Sequence, residues 1–140
     1  MLRILIAIGL MSLTFHAAQA APRPLPEAKY YAVYAYADWC PNCKILTPRL
    51  AAVRAALAQE KLLFVTLDLT DKPRIQQSIL LAQALGIGPF LQAQGSATGY
   101  VALLDAKTKK EVARFDRADE ESAILERLRA ALANQPNSLP

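Results

Sequence analysis

Cysteine, histidine and tryptophan are scarce in this chain, with two, one and one in 140 residues. Two cysteines cannot build a four-cysteine zinc or iron–sulfur site within one chain. The single histidine, His16, lies in an N-terminal stretch that reads as a removable leader. Its loss would leave no imidazole for Cys/His catalysis or for a histidine metal site. Charge is not concentrated either: 16 Lys and Arg face 12 Asp and Glu, and Lys107–Lys110 (KTKK) is the only basic cluster. A lone cluster of that size reads as a solvated hairpin turn, so nucleic acid is not an expected partner. There is no internal repeat and no sign of a second domain.

The one long apolar run is at the start. "MLRILIAIGLMSLTFHAAQA" places Arg3 ahead of apolar residues from Ile4 to Phe15 and closes on Ala18-Gln19-Ala20. Those three parts predict a secretory signal over residues 1–20, cleaved after Ala20, and hence export to the periplasm. The run falls short of the roughly 20 residues that span a bilayer, and Ser12, Thr14 and His16 interrupt its end. An N-terminal membrane anchor is the minor alternative. No cysteine follows the run, which argues against a lipid attachment. The remaining chain is long enough for one domain with a single core. In an oxidising compartment its two thiols would be oxidised unless something keeps reducing them.

Residues 21–29 (APRPLPEAK), with three prolines, read as an extended arm. Tyr30–Ala37 is apolar and aromatic on both faces, as a buried central strand is. From Cys40 to about Gln59, Leu46, Leu50, Val53 and Leu57 recur at helical spacing, with Pro48 expected to kink the helix. Lys61–Leu69 reads as a second strand, and Pro73 opens a helix running to Leu85. Residues 86–99 form a glycine-punctuated loop with room for a helical turn. Tyr100–Asp105 and Glu111–Phe115 are the strands of a hairpin. Asp119, Glu120 and Glu121 start a last helix whose buried face is Ile124, Leu125, Leu128 and Leu132. Residues 134–140 are a tail, so the domain proper spans 30–133. The order β-α-β-α-β-β-α predicts an α/β fold, a four-stranded mixed sheet with helices on both faces.

The cysteines, Cys40 and Cys43, stand where the first strand hands over to a helix, the edge at which open α/β sheets build their sites. Pro41 fits the first helical turn, where its missing N–H costs nothing. The unsatisfied amides there stabilise an anion and lower the pKa of Cys40, with Lys44 adding a nearby positive charge. Cys40 is expected to face outward and Cys43 to be more covered. A thiolate at Cys40 would attack a client disulfide, and Cys43 would displace the client from Cys40. As a staple, a disulfide closing so short a loop would contribute little. Trp39 is either an exposed contact surface beside the thiolate or a lid over the helix end.

"YADWCPNCK", preceded by a strand and followed by Pro48, resembles the thioredoxin family, and most of all the domains of exported thiol–disulfide interchange proteins. The likeness runs from about Tyr30 to Ala133, and "LDLTDKP" is similar to a second family stretch. It implies the thioredoxin-like fold, Cys40 as nucleophile, Cys43 as resolving thiol, and Pro41-Asn42 as tuners of redox poise. Four departures accompany it. The family's leading strand and helix have almost no counterpart before Tyr30, so one sheet edge is trimmed. A buried aspartate is replaced by Tyr34, and its lysine partner by Thr66. The cis-proline that faces the cysteines falls on Thr98-Gly99, with Pro89 as the rival position. An insertion up to Gly99 would then form a lid or flank over the site. The fourth is the Pro-Asn dipeptide itself.

The expected function is an exported oxidoreductase, more reductant than oxidant, acting on proteins that carry cysteines or disulfides. The resemblance implies a membrane electron donor as a second partner, and a monomer. No cofactor is needed, since the two sulfurs carry the chemistry. Two other readings stay open. One is a module that binds Cu(I) or another soft metal through the two thiolates. The other is a redox-silent binding module, should the 86–99 segment bury both sulfurs.

Overall fold

Four tyrosines and Val33, interspersed with Ala32 and Ala35, make Tyr30–Tyr36 a strand, β1, at the centre of the sheet. The computed structural model describes residues 27–134. The expected leader (1–20), residues 21–26 of the expected arm and residues 135–140 of the expected tail lie outside these. After β1 come helix α1 (Pro41–Ala56), strand β2 (Leu62–Asp68), helices α2 (Lys72–Ala84) and α3 (Gly88–Gln94), strands β3 (Tyr100–Asp105) and β4 (Glu111–Asp116), and helix α4 (Glu121–Ala133). The strands lie in the order β2-β1-β3-β4. β1 and β2 are parallel, in register from Tyr30 opposite Leu62 to Tyr36 opposite Asp68. β3 runs antiparallel to both β1 and β4. This is the mixed four-stranded sheet expected from the element order.

Because side chains alternate across a strand, β1 feeds two separate cores. Ala32 and Tyr34 pack with Leu46, Leu50 and Val53 of α1 and with Ile124 and Leu128 of α4. Val33 and Ala35 pack on the opposite face with Val65, Leu67, Ala82, Leu85 and Ile87. Helices therefore cover both faces. Among the described residues no strand pairs with the outer edge of β2, so that edge of the sheet is trimmed. No described helix is long and apolar enough to cross a membrane.

Two local readings change. The expected loop 86–99 contains a full helix, α3, with Pro89 in its first turn. Its glycines mark the ends instead of the interior, since Gly86 and Gly95 both adopt positive φ. Helix α1 ends at Ala56, short of Gln59, and continues through Pro48. Helix α2 starts on an Asp71 cap whose carboxylate accepts the N–H of Arg74 at 3.0 Å. It lies close to the sheet because Ser78 and Ala82 face inward. The Ser78 hydroxyl donates to the Asp68 carbonyl at 2.9 Å.

Candidate active site

Four residues past β1 the chain reaches Cys40, which caps α1 with extended backbone (φ −82°, ψ 115°). Its Sγ accepts the N–H of Cys43 at 3.3 Å, so a sulfur does the work of a capping oxygen. Pro41 follows in the first turn, and Asn42 is half-buried. Cys43 lies within the helix with no exposure, its Sγ 3.8 Å from the carbonyl oxygen of Ala35 on β1. The two cysteines are unbridged.

Their protons are divided unequally. Burial works to raise the Cys40 pKa. Hydrogen bonds from the Cys43 thiol, from Thr98 and from the N–H groups of Cys43 and Asn42 outweigh it and hold Cys40 below the ordinary thiol range. Burial, followed by the bond it shares with Cys40, pushes Cys43 up. The anion therefore belongs on Cys40. Lys44, expected to help, points to solvent on the outer side of α1 and is absent from the leading causes of that shift. Hydrogen bonds at the helix start hold the charge.

Cys40 is not turned outward as the sequence suggested; it is 3 % exposed. The reason is the segment before β3. The Gly99 N–H donates to the Ala35 carbonyl at 2.8 Å, laying Thr98-Gly99 across the helix start. A Cβ on Gly99 would meet Asn42 Cβ at 2.5 Å and Cys40 Sγ at 3.0 Å, and its φ is +83°. Only glycine fits so close an approach with that backbone. Thr98-Gly99 thus lies against the cysteines, and no peptide bond among the described residues is cis. Pro89, the rival position, lines a groove between α2 and α3 with Leu69, Ile75 and Ile79.

Trp39 is 58 % exposed, and its indole N–H donates to the Thr70 carbonyl at 3.1 Å. It is a pinned, solvent-facing surface beside the site. Around it runs a polar rim absent from the sequence reading. The Asp38 N–H donates to Thr70 Oγ1, and the Tyr36 hydroxyl donates to Asp38 at 2.6 Å. Arg74 pairs with Asp38, Asp68 and Asp71. No local pattern marks these residues as neighbours; the parallel register of β1 and β2 brings them together.

Below the cysteines, Tyr34 is buried, with its hydroxyl donating to the Cys43 carbonyl at 3.1 Å and lying 3.1 Å from Thr47 Oγ1. Thr66, opposite it on β2, accepts from Arg54 at 2.9 Å. Among the described residues no carboxylate or imidazole joins the two thiols in a cluster of three.

The charge division has a measurable consequence. Below the usual cysteine pKa of about 8.5, Cys40 should still react with iodoacetamide, and its rate should fall only as the pH drops through the lowered value. Cys43→Ala removes the strongest of the lowering bonds and should move that midpoint upward. A wild-type midpoint at the free-cysteine value would remove the basis for an anionic Cys40.

The thioredoxin family matches residues 18–83. No curated protein matches the chain. Among solved structures, the chain is similar to a thiol:disulfide interchange protein of the thioredoxin family from Chlorobium tepidum TLS. Identity there is 15 %, over 76 % of this chain and 82 % of that one, with a TM-score of 0.55. It is also similar to the thioredoxin domain of a thiol-disulfide oxidoreductase from Bacteroides vulgatus, at 14 % identity over 76 % and 81 % of the two chains and a TM-score of 0.53. At such identities the likeness is one of fold. The family match over residues 18–83 and the likeness to these structures over about three quarters of the chain agree, and the chain has a thioredoxin-like fold.

Proposed function

We propose that this protein is an exported, periplasmic thiol–disulfide oxidoreductase that exchanges disulfides with client proteins through Cys40 and Cys43. The observation that carries the reading is the capping of α1 by Cys40 Sγ, with the resolving thiol one turn behind it. In the reducing direction the Cys40 thiolate attacks one sulfur of a client disulfide. The client's S–S bond breaks, its other sulfur leaves as a thiolate, and a mixed disulfide forms on Cys40. Cys43 then loses its proton and attacks Cys40 Sγ, expelling the client's second sulfur. The client has gained two electrons, and the protein holds a Cys40–Cys43 disulfide. A membrane electron donor would return it to the dithiol. Trp39 and the Thr98-Gly99 segment are the surfaces a monomer offers the client, and Pro41-Asn42 sets the poise. Access to Cys40 includes a displacement of Thr98-Gly99, because that segment covers the sulfur. The sequence of residues 1–20 supports export, and the names of the similar structures favour interchange chemistry.

One observation favours a second reading, a redox-silent binding module: both sulfurs are covered. Mixing reduced protein with oxidised glutathione separates the readings. Exchange predicts a Cys40–Cys43 disulfide, two released glutathione thiols and a reduction potential within the roughly −120 to −270 mV of known exchange proteins. No release within hours, without metal uptake, supports the silent module. Stoichiometric Cu(I) retained against excess glutathione supports a metal-binding module.

A further inference from the structure

Strand β2 leaves its outer edge open. The Lys61 carbonyl accepts the Lys29 N–H at 2.8 Å and the Leu69 N–H donates to the Tyr36 carbonyl at 2.7 Å, so both turn toward β1. Backbone groups point to alternate sides along a strand, and the β1–β2 register is unbroken. The N–H and C=O groups of Phe64 and Thr66 therefore point away from β1, and among the described residues no strand meets them. Between Lys61 and Asp68 the strand carries no charge and no proline, the devices that usually blunt such an edge.

The side chains at this edge are incompletely covered too. On one face Val65 and Leu67 are buried against Ala82 of α2. On the α1 face the core holds no fully buried β2 residue: Leu62 and Phe64 are partly covered, and Thr66 is exposed. Between α1 and the strands lies an open cavity of about 310 Å³, walled by Tyr34, Leu50 and Ala51 and also lined by Arg54 and Thr66. Arg54 donates to Thr66 Oγ1 at 2.9 Å, and its guanidinium lies 5.2 Å from the centre of the Phe64 ring. Arg49, Arg74, Arg114 and Arg127 each pair with a carboxylate; among the described residues Arg54 meets none.

We propose that the β2 edge and this cavity form a docking site for an extended acidic segment of a partner protein. The segment would pair with β2 as an added strand, set an apolar side chain in the cavity and place a carboxylate on Arg54. Each part of that description comes from a different group. The outward N–H and C=O groups of Phe64 and Thr66 call for an extended chain with backbone groups of its own. Alternate residues of a strand share a face, so an apolar and an acidic residue two apart can reach the cavity and Arg54 together. The guanidinium spends one N–H on Thr66 and keeps others for a carboxylate. The rest of the chain does not supply such a segment. Residues 1–26 and 135–140 hold no Asp or Glu, and Pro22, Pro24 and Pro26 lack the N–H a strand needs. From its own β2 a second copy would offer only Asp68, already bonded to Thr70 and paired with Arg74. The site uses neither cysteine and stands whether or not exchange occurs.

The test pans a random heptapeptide library, displayed on phage, against the full chain. The most enriched peptide is then synthesised and titrated into isotope-labelled protein. Enriched peptides should carry Asp or Glu two positions from an apolar residue. The bound peptide should slow hydrogen exchange at the Phe64 and Thr66 amides. Arg54→Glu, a change at an exposed side chain, should weaken binding about 10-fold or more, as a like charge replaces an attraction. Thr66→Pro removes an outward N–H and leaves the ladder to β1 intact, and should weaken binding as well. No enrichment, peptides without an acidic residue, or affinity unchanged in Arg54→Glu overturns the proposal. So does protection of the same two amides that rises with protein concentration and without peptide, since that would put a second copy on the edge.

Discussion

Cys43→Ser is expected to accumulate covalent complexes in which Cys40 is joined to a client cysteine, and Cys40→Ser to accumulate none. Either change should reduce turnover of a protein disulfide by roughly three orders of magnitude, the scale on which losing one member of a cooperating nucleophile set acts. The asymmetry in trapping is the informative part. Exposure barely separates the sulfurs, at 3 % against 0 %. The proton does separate them. Cys40 is held low by a set of hydrogen bonds and Cys43 is pushed up, so Cys40 gives up its proton before Cys43 does. Serine at 43 keeps the backbone N–H that bonds to Cys40 Sγ. The nucleophile therefore survives while the step that releases the client is lost. Non-reducing electrophoresis of both variants, expressed as the full chain, checks the result. Equal trapping on the two would reverse or erase the roles assigned here, and the trapped partners would name the clients.

Gly99→Ala should be the most damaging glycine-to-alanine change among the described residues. The new Cβ would meet Asn42 Cβ at 2.5 Å and Cys40 Sγ at 3.0 Å. Asn42 Cβ is fixed to the helix backbone, so it is the Thr98-Gly99 segment that must yield. The positive φ adds its own cost for any residue with a Cβ. Together these should destabilise the fold by about 2–5 kcal/mol. The site should suffer as well. Lifting the segment loosens the Gly99–Ala35 hydrogen bond and withdraws Thr98 from Cys40. The Cys40 pKa would then shift toward the ordinary thiol value. Gly95→Ala is the control, since it too has positive φ but nothing within 4 Å of the added carbon. It should cost stability without moving Cys40. Chemical denaturation and Cys40 alkylation profiles on the pair distinguish the two effects. Equal behaviour of the two variants would mean the contact between Gly99 and the helix start does not matter.

Local patterns made much of this protein legible. The run apolar on both faces at β1, helical spacing of Leu46, Leu50 and Val53, and hairpin strands around Lys107–Lys110 are each written within a dozen residues. So is the hand-over from strand to helix at Cys40. Register between strands was not legible, and the site depends on it. Pairing of β1 with β3 brings Gly99 down on Cys40, where sequence spacing left Pro89 as a rival and let the sulfur face outward. Pairing of β1 with β2 carries Thr70 to Trp39 and Arg74 to Asp38. The short helix α3 was legible only as room for a helical turn, because seven residues hold too little periodicity to distinguish a helix from a loop.

The sequence by itself determined the order of elements and the chemistry open to two cysteines at a helix start, because spacing along the chain dictates both. Only the tertiary structure decided how deeply each sulfur is covered, which groups hold the Cys40 anion that the sequence already placed there, and which side chains form the rim around it. Those outcomes rest on hydrogen bonds and contacts across strands, between residues that the sequence keeps far apart.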